Sequence, residues 1–141
     1  MKTITIALVA IAVILAGCSS GQAQTSNASN TSQGSSKAEY HKITPEVARK
    51  MMQTEKNYII LDVRTEAEYK QQRIDGAKLL PVDEIGSRAE KELPQKNQLI
   101  FVYCRSGVRS RNASTQLVGM GYTNIYDIGG IINWPYETVS D

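Results

Sequence analysis

The run Tyr103-Cys104-Arg105-Ser106-Gly107-Val108-Arg109-Ser110 brings together one thiol, two guanidinium groups and a glycine within eight residues. It follows an apolar stretch, Gln98 to Tyr103, that reads as a buried strand. Downstream, Ala113, Leu117 and Met120 recur at helical spacing, which predicts a helix over 110–120. The cysteine therefore ends a strand where a helix is about to begin. The first turn of a helix leaves backbone N–H groups without intrahelical partners, and its partial positive charge favours an anion. A thiolate at that place is stabilised relative to the thiol. Arg105 and Arg109 add positive charge, and Gly107 lets the backbone form a concave nest of converging N–H groups. The chemistry expected is a nucleophilic thiolate in a pocket shaped for a small anion. A buried structural cysteine is the plain alternative, because free cysteine is commonly buried. Two arginines within five residues argue against an apolar surrounding.

The remaining sequence must supply the frame that positions this loop. Sixteen Lys and Arg against fourteen Asp and Glu give a net charge of +2 in 141 residues. That leaves no general field for nucleic acid, and the positive charge is local, with Arg105, Arg109 and Arg111 close together. Met1 to Cys18 opens with Lys2, continues as an uncharged apolar run and ends Leu15-Ala16-Gly17-Cys18. The run is short for a membrane span, which needs about 20 residues, and suits a signal-peptide core over residues 1–17. The closing tetrapeptide resembles the bacterial lipobox, which implies cleavage before Cys18, lipid on its sulfur and an extracytoplasmic membrane location. Several acyl chains at roughly 0.8 kcal/mol per buried CH₂ would hold the chain on a membrane. The alternative is an uncleaved anchor helix, which also places the rest outside the cytoplasm. Residues 18–36 beyond the cysteine contain only small and polar types and predict a flexible tether with a mean reach of roughly 20–25 Å. The two cysteines, Cys18 and Cys104, stand in different contexts, and no disulfide framework is read from them.

The folded part is expected over residues 37–141. Tyr40 to Ile43 predicts a short strand. Thr44-Pro45-Glu46 is an N-cap, a proline and a first-turn acid opening a helix to about residue 53. Tyr58 to Val63 is a continuous apolar run, as in a parallel strand covered on both faces. Thr65 and Glu68 have the capping-box spacing of a short helix. Lys78 to Leu80 is a brief strand, and a helix over 83–93 closes at Pro94. After the Cys104 loop and its helix, Asn124 to Ile128 predicts a last strand before Gly129-Gly130. Alternating strand and helix give an α/β class with a mainly parallel sheet.

Five fragments in this order, Leu61-Asp62-Val63-Arg64, Glu68-Tyr69, Ile74-Asp75-Gly76-Ala77, the Cys104–Ser110 loop, and Gly129-Gly130 with Trp134, resemble a single-domain rhodanese, a sulfurtransferase module. The resemblance implies a five-stranded, mostly parallel sheet with helices on both faces and the cysteine loop as active site. One departure is Gln72-Arg73, where many members have Gly-His before the Ile-x-Gly-Ala segment. The resemblance further implies that Cys104 takes a sulfane sulfur from a small anionic donor such as thiosulfate, becomes a persulfide and yields the sulfur to cyanide or a thiol. This is nucleophilic catalysis through a covalent intermediate, and it calls for no cofactor. The loop residues Arg105, Ser106, Gly107, Val108 and Arg109 would bind the donor, with Asp62, Arg64 and Ser110 in support. Guanidinium groups match sulfonate-type oxygens as they match phosphate.

Two other readings compete. A sulfur carrier on a lipid tether, handing persulfide sulfur to a neighbouring protein, would show little free turnover. A cysteine-dependent phosphatase or arsenate reductase needs five residues between cysteine and arginine, whereas Cys104 and Arg109 enclose four. A metal site has little support, since His41 is the only histidine and Cys104 has no paired cysteine nearby; His41 is expected on the surface or a strand edge. Asp62 either orients Arg109 or a loop amide, or caps the turn that follows it. Arg64 is an ion-pair partner or a substrate ligand. Ser106 and Ser110 are expected to make loop and cap hydrogen bonds, Arg111 to be solvated, Gly129-Gly130 to mark close backbone approach, and Trp134 to pack in core or rim.

Overall fold

Strand and helix alternate as the apolar patterning predicts. The computed structural model describes residues 39–141; the apolar leader, Cys18 and the whole of the expected tether lie outside the described residues. The elements are β1 (His41–Lys42), α1 (Pro45–Thr54), β2 (Tyr58–Asp62), α2 (Glu66–Gln71), β3 (Lys78–Leu79), a 3₁₀ turn (Val82–Glu84), α3 (Ile85–Glu92), β4 (Leu99–Cys104), α4 (Val108–Gly119), β5 (Ile125–Gly130) and a second 3₁₀ turn (Ile131–Asn133). The sheet order is β1-β5-β4-β2-β3, and every pairing between these strands is parallel. One isolated antiparallel bridge, Arg73 with Val139, brings the carboxyl-terminal segment back beside α2.

Central β4 is buried at all six positions. Its side chains alternate between two apolar clusters, as the period-two geometry of a strand requires. Ile100, Val102 and Cys104 join Leu61, Ala89, Ala113 and Leu117 on the face covered by α3 and α4. Leu99, Phe101 and Tyr103 join Ala48, Met52 and Trp134 on the face covered by α1 and the second 3₁₀ turn. Helices thus cover both faces, and the sheet's carboxyl edge delivers Asp62, Cys104 and Gly130 to one end.

Five boundaries differ from the sequence reading. The helix expected over 83–93 begins as a 3₁₀ turn behind Pro81, whose own backbone stays extended. Leu80 and Val63 fall outside the strands although both are fully buried. The helix after the loop starts at Val108, two residues early, because Gly107 takes a left-handed backbone (φ 102°) and serves as its N-cap. The last strand runs on to Gly130 rather than stopping at Ile128. A bulge lets it continue: Asp127 pairs with Val102 but Gly129 pairs with Tyr103, leaving Ile128 as the extra residue.

Candidate active site

Cys104 closes the central strand, and the next three residues turn the chain into α4. Its Sγ accepts a hydrogen bond from the Gly107 N–H at 3.0 Å. The first-turn amides of α4 have no intrahelical acceptor and lie at the same end. The cysteine is 1% exposed and belongs to the apolar cluster beneath α3 and α4. The sulfur itself faces backbone N–H rather than hydrocarbon alone.

On the β2 side the frame is ionic. Arg64 donates from Nε to both oxygens of Asp62 (2.9 and 3.1 Å) and from Nη2 to Oδ2 (2.6 Å), and its backbone N–H donates to Oδ1. Both side chains are buried, at 4% and 0% exposure. The Tyr103 hydroxyl donates to Asp62 Oδ2 at 2.6 Å and accepts from the Ile74 N–H. Burial, reinforced by the neighbouring Asp62 charge, pushes the Tyr103 phenol well above its ordinary range, so it stays a proton donor. Asp62 therefore caps its own turn and neutralises Arg64. It makes no hydrogen bond to Arg109 or to a loop amide, and Arg64 is the ion-pair partner.

Arg109 has a different carboxylate. Its two terminal nitrogens fork onto Glu68, each at 2.7 Å. Glu68 also accepts from the Thr65 N–H and hydroxyl and completes the capping box of α2. One side chain thus caps a helix and holds the loop's second arginine. The hydrogen bond from Arg109, working against a partial burial penalty, lowers the Glu68 pKa to about 2. Glu68 in turn raises the pKa of Arg109, with smaller attractions from Cys104 and Asp62. Arg109 is within electrostatic reach of the thiol, but both its terminal nitrogens are engaged. Arg105 is exposed and makes no ion pair among the described residues.

On the β5 side the frame is mostly neutral. Ser110 is buried, and its hydroxyl donates to Asp127 Oδ1 (2.7 Å) and lies 3.1 Å from the Gly107 carbonyl oxygen. Asp127 also accepts from the Gly129 N–H at 2.9 Å and from Lys42 Nζ at 2.9 Å. Gly130 pairs with Cys104 in register, and a Cβ there would stand 2.6 Å from Ser106 Cα and nearer still to the Arg105 carbonyl oxygen. Only glycine lets the two backbones approach this closely.

The structure brings Cys104, Arg105, Ser106, Gly107, Val108, Arg109 and Ser110 together in one loop and helix turn. Ser106 is exposed, and Val108 offers the loop a backbone amide while its side chain is 73% exposed. His41 is exposed on edge strand β1 and stacks on Tyr126, Arg111 is exposed, and Trp134 is buried. Sequence reasoning missed Glu68 as a loop ligand and Asp127 altogether. The capping-box spacing gave Glu68 a local role that hid its second one, and Asp127 read only as a polar residue inside a strand.

A model of the Rhodanese-like domain matches residues 44–135, well over half of the chain. The chain belongs to the rhodanese-like family. The domain is 37% identical over 71 residues to thiosulfate sulfurtransferase PspE of Escherichia coli, an alignment covering 50% of this chain and 68% of that one. It is 31% identical over 106 residues to the tRNA uridine(34) hydroxylase of Protochlamydia amoebophila, covering 70% of this chain but only 33% of that longer protein. Among solved structures, the rhodanese with anions from E. coli aligns with a TM-score of 0.56 and 32% identity, over 60% of this chain and 99% of that one. The five-stranded sheet and its covering helices are those of a rhodanese-like domain.

Proposed function

We propose that this chain is a sulfurtransferase acting through a persulfide on Cys104. The Cys104 thiolate attacks the outer sulfur of thiosulfate or a similar donor. A new S–S bond forms, the donor's S–S bond breaks, and its electron pair leaves with sulfite. An acceptor, cyanide or a thiol, then attacks the outer sulfur of the persulfide and returns Cys104 as thiolate. The observation that carries this reading is the Sγ of Cys104 held 3.0 Å from the Gly107 N–H at the start of α4. The likeness to thiosulfate sulfurtransferase PspE supports thiosulfate as donor. Arg105 is the guanidinium available to the donor's oxygens, with Arg109 kept in place by Glu68 and acting as fixed positive charge.

Intact-mass measurement after thiosulfate treatment tests the reaction. A gain of one sulfur atom, cleared by cyanide and absent in Cys104→Ala, is expected; an unchanged mass overturns it. By the same reading the domain works outside the cytoplasm on a lipid anchor at Cys18, supported by Leu15-Ala16-Gly17-Cys18. Fatty-acid labelling lost in Cys18→Ala is the expected result for that anchor.

A further inference from the structure

A cleft of about 570 Å³ opens beside the cysteine loop, with Arg105 at its loop end and Arg64 and Glu68 in its wall. At about 30 Å³ for each water-sized group, it has room for roughly fifteen to twenty of them. Neither thiosulfate nor cyanide fills such a space. The polar wall has little charge to spare, because Arg64 is bound to Asp62 and the Gln72 carbonyl, and Glu68 to Arg109 and Thr65. Arg105 is the lining cation without an acidic partner among the described residues. In the same lining, Ile132 and Val139 remain 66% and 37% exposed. These two are apolar surface next to the loop, not scattered along the fold: the Ile132 N–H donates to the Arg105 carbonyl at 3.3 Å, and Val139 is fixed by paired hydrogen bonds with Arg73. The cleft thus combines one available positive charge with an apolar wall, at the residue following the nucleophile.

We infer that the cleft seats the sulfur acceptor, and that this acceptor is an organic thiol with an apolar body and an anionic group. The inference rests on the persulfide reading given above. The apolar body lies on Ile132 and Val139, the anion meets Arg105, and the slim thiol end reaches the buried sulfur. The acceptor's thiolate attacks the outer sulfur of the Cys104 persulfide. One S–S bond forms, the Cys104 S–S bond breaks with its electron pair going to Cys104, and the acceptor leaves as an organic persulfide. Cyanide can meet Arg105 but has no apolar body to lay on Ile132 and Val139, so these two side chains act on the choice among organic acceptors alone.

The test uses the full-length protein loaded with thiosulfate and followed by single-turnover decay of the persulfide. The acceptors are cyanide, 2-mercaptoethanol and 6-mercaptohexanoate. An advantage of about tenfold or more in kcat/KM for 6-mercaptohexanoate over 2-mercaptoethanol is expected, falling to less than about threefold in Ile132→Ser, with the cyanide rate unchanged. Equal rates for the two thiols, or a parallel loss with cyanide, overturn the inference. Binding of hexanoate, which has no thiol, is followed separately by NMR shifts at the Ile132 and Val139 amides. Those shifts, weakened in Ile132→Ser, are expected even if no persulfide forms, and their absence overturns the inference too. Failure of persulfide formation with hexanoate still bound refutes the donor reaction alone.

Discussion

The two flanks of the β4 terminus hold the cysteine loop in different ways. Beside β2 the frame is a buried ion pair, Asp62 with Arg64, plus the Tyr103 hydroxyl. Beside β5 the single buried carboxylate, Asp127, meets two neutral donors and a lysine whose side chain is 55% exposed. Among the described residues the β2 pair makes no hydrogen bond to a loop residue after Cys104, whereas Asp127 bonds Ser110 in the first turn of α4 and Gly130 packs directly on the loop backbone. One flank therefore maintains the frame and the other sets the shape of the nest. Glu68 crosses between these roles, reaching from α2 to Arg109.

Substitutions on the two flanks should separate these roles. Gly130→Ala carries the largest expected effect. Its Cβ would collide with loop backbone rather than with a side chain that could move aside, so the nest cannot close. Persulfide formation should fall by at least two orders of magnitude, as read by intact mass and by thiosulfate turnover. Survival of near-normal rates would show that the close approach is dispensable.

Next come the two carboxylates, best measured side by side. Asp62→Ala leaves Arg64 buried and uncompensated, which costs about 3–5 kcal/mol, while the molecules that stay folded keep their persulfide chemistry. Asp127→Asn keeps one acceptor oxygen for Ser110 and Gly129, removes the charge and turns the other oxygen into an NH₂ that faces the Lys42 ammonium. It should cost about 1–2 kcal/mol for the weakened buried hydrogen bonds, yet slow persulfide formation by about tenfold or more. Denaturant midpoints alongside single-turnover rates would reveal the pattern; matching losses of stability and rate in both variants would erase the distinction.

The smallest effect is at Glu68. Its folded pKa, about 2, lies below the ordinary carboxylate value of 4.5. The stability it contributes is complete above about pH 4.5 and is lost as pH falls toward 2. Because the pair is partly exposed, Glu68→Gln should cost about 1 kcal/mol or less at neutral pH. The difference from the parent should shrink steadily below about pH 4.5 and vanish only below about pH 2 in urea titrations, and a gap that does not shrink over that range would assign Glu68 only its capping role.

Much of the fold was legible because burial on both faces leaves continuous apolar runs in β2 and β4, and because Thr44-Pro45 and Thr65–Glu68 are local helix signals. The loop was legible for the same reason: its chemistry is contiguous. Its supports were not. Glu68 lies 41 residues from Arg109, and nothing in either segment announces the other. Asp62 could be left only as a choice between capping and reaching the loop, and geometry was needed to pair it with Arg64. The run of β5 through Gly129-Gly130 was hidden by the low strand preference of glycine, which a bulge overrides. The bridge between Arg73 and Val139, which closes one wall of the cleft, has no sequence signature at all.

Trp134 is the chain's sole tryptophan, buried at the end of the turn whose Ile132 touches Arg105 and edge-on to Tyr136 at 5.1 Å. Its indole nitrogen has no hydrogen-bond partner. The molecule therefore carries its own optical reporter a few bonds from the cleft. Emission at a single wavelength can follow events there in real time, without attaching a dye.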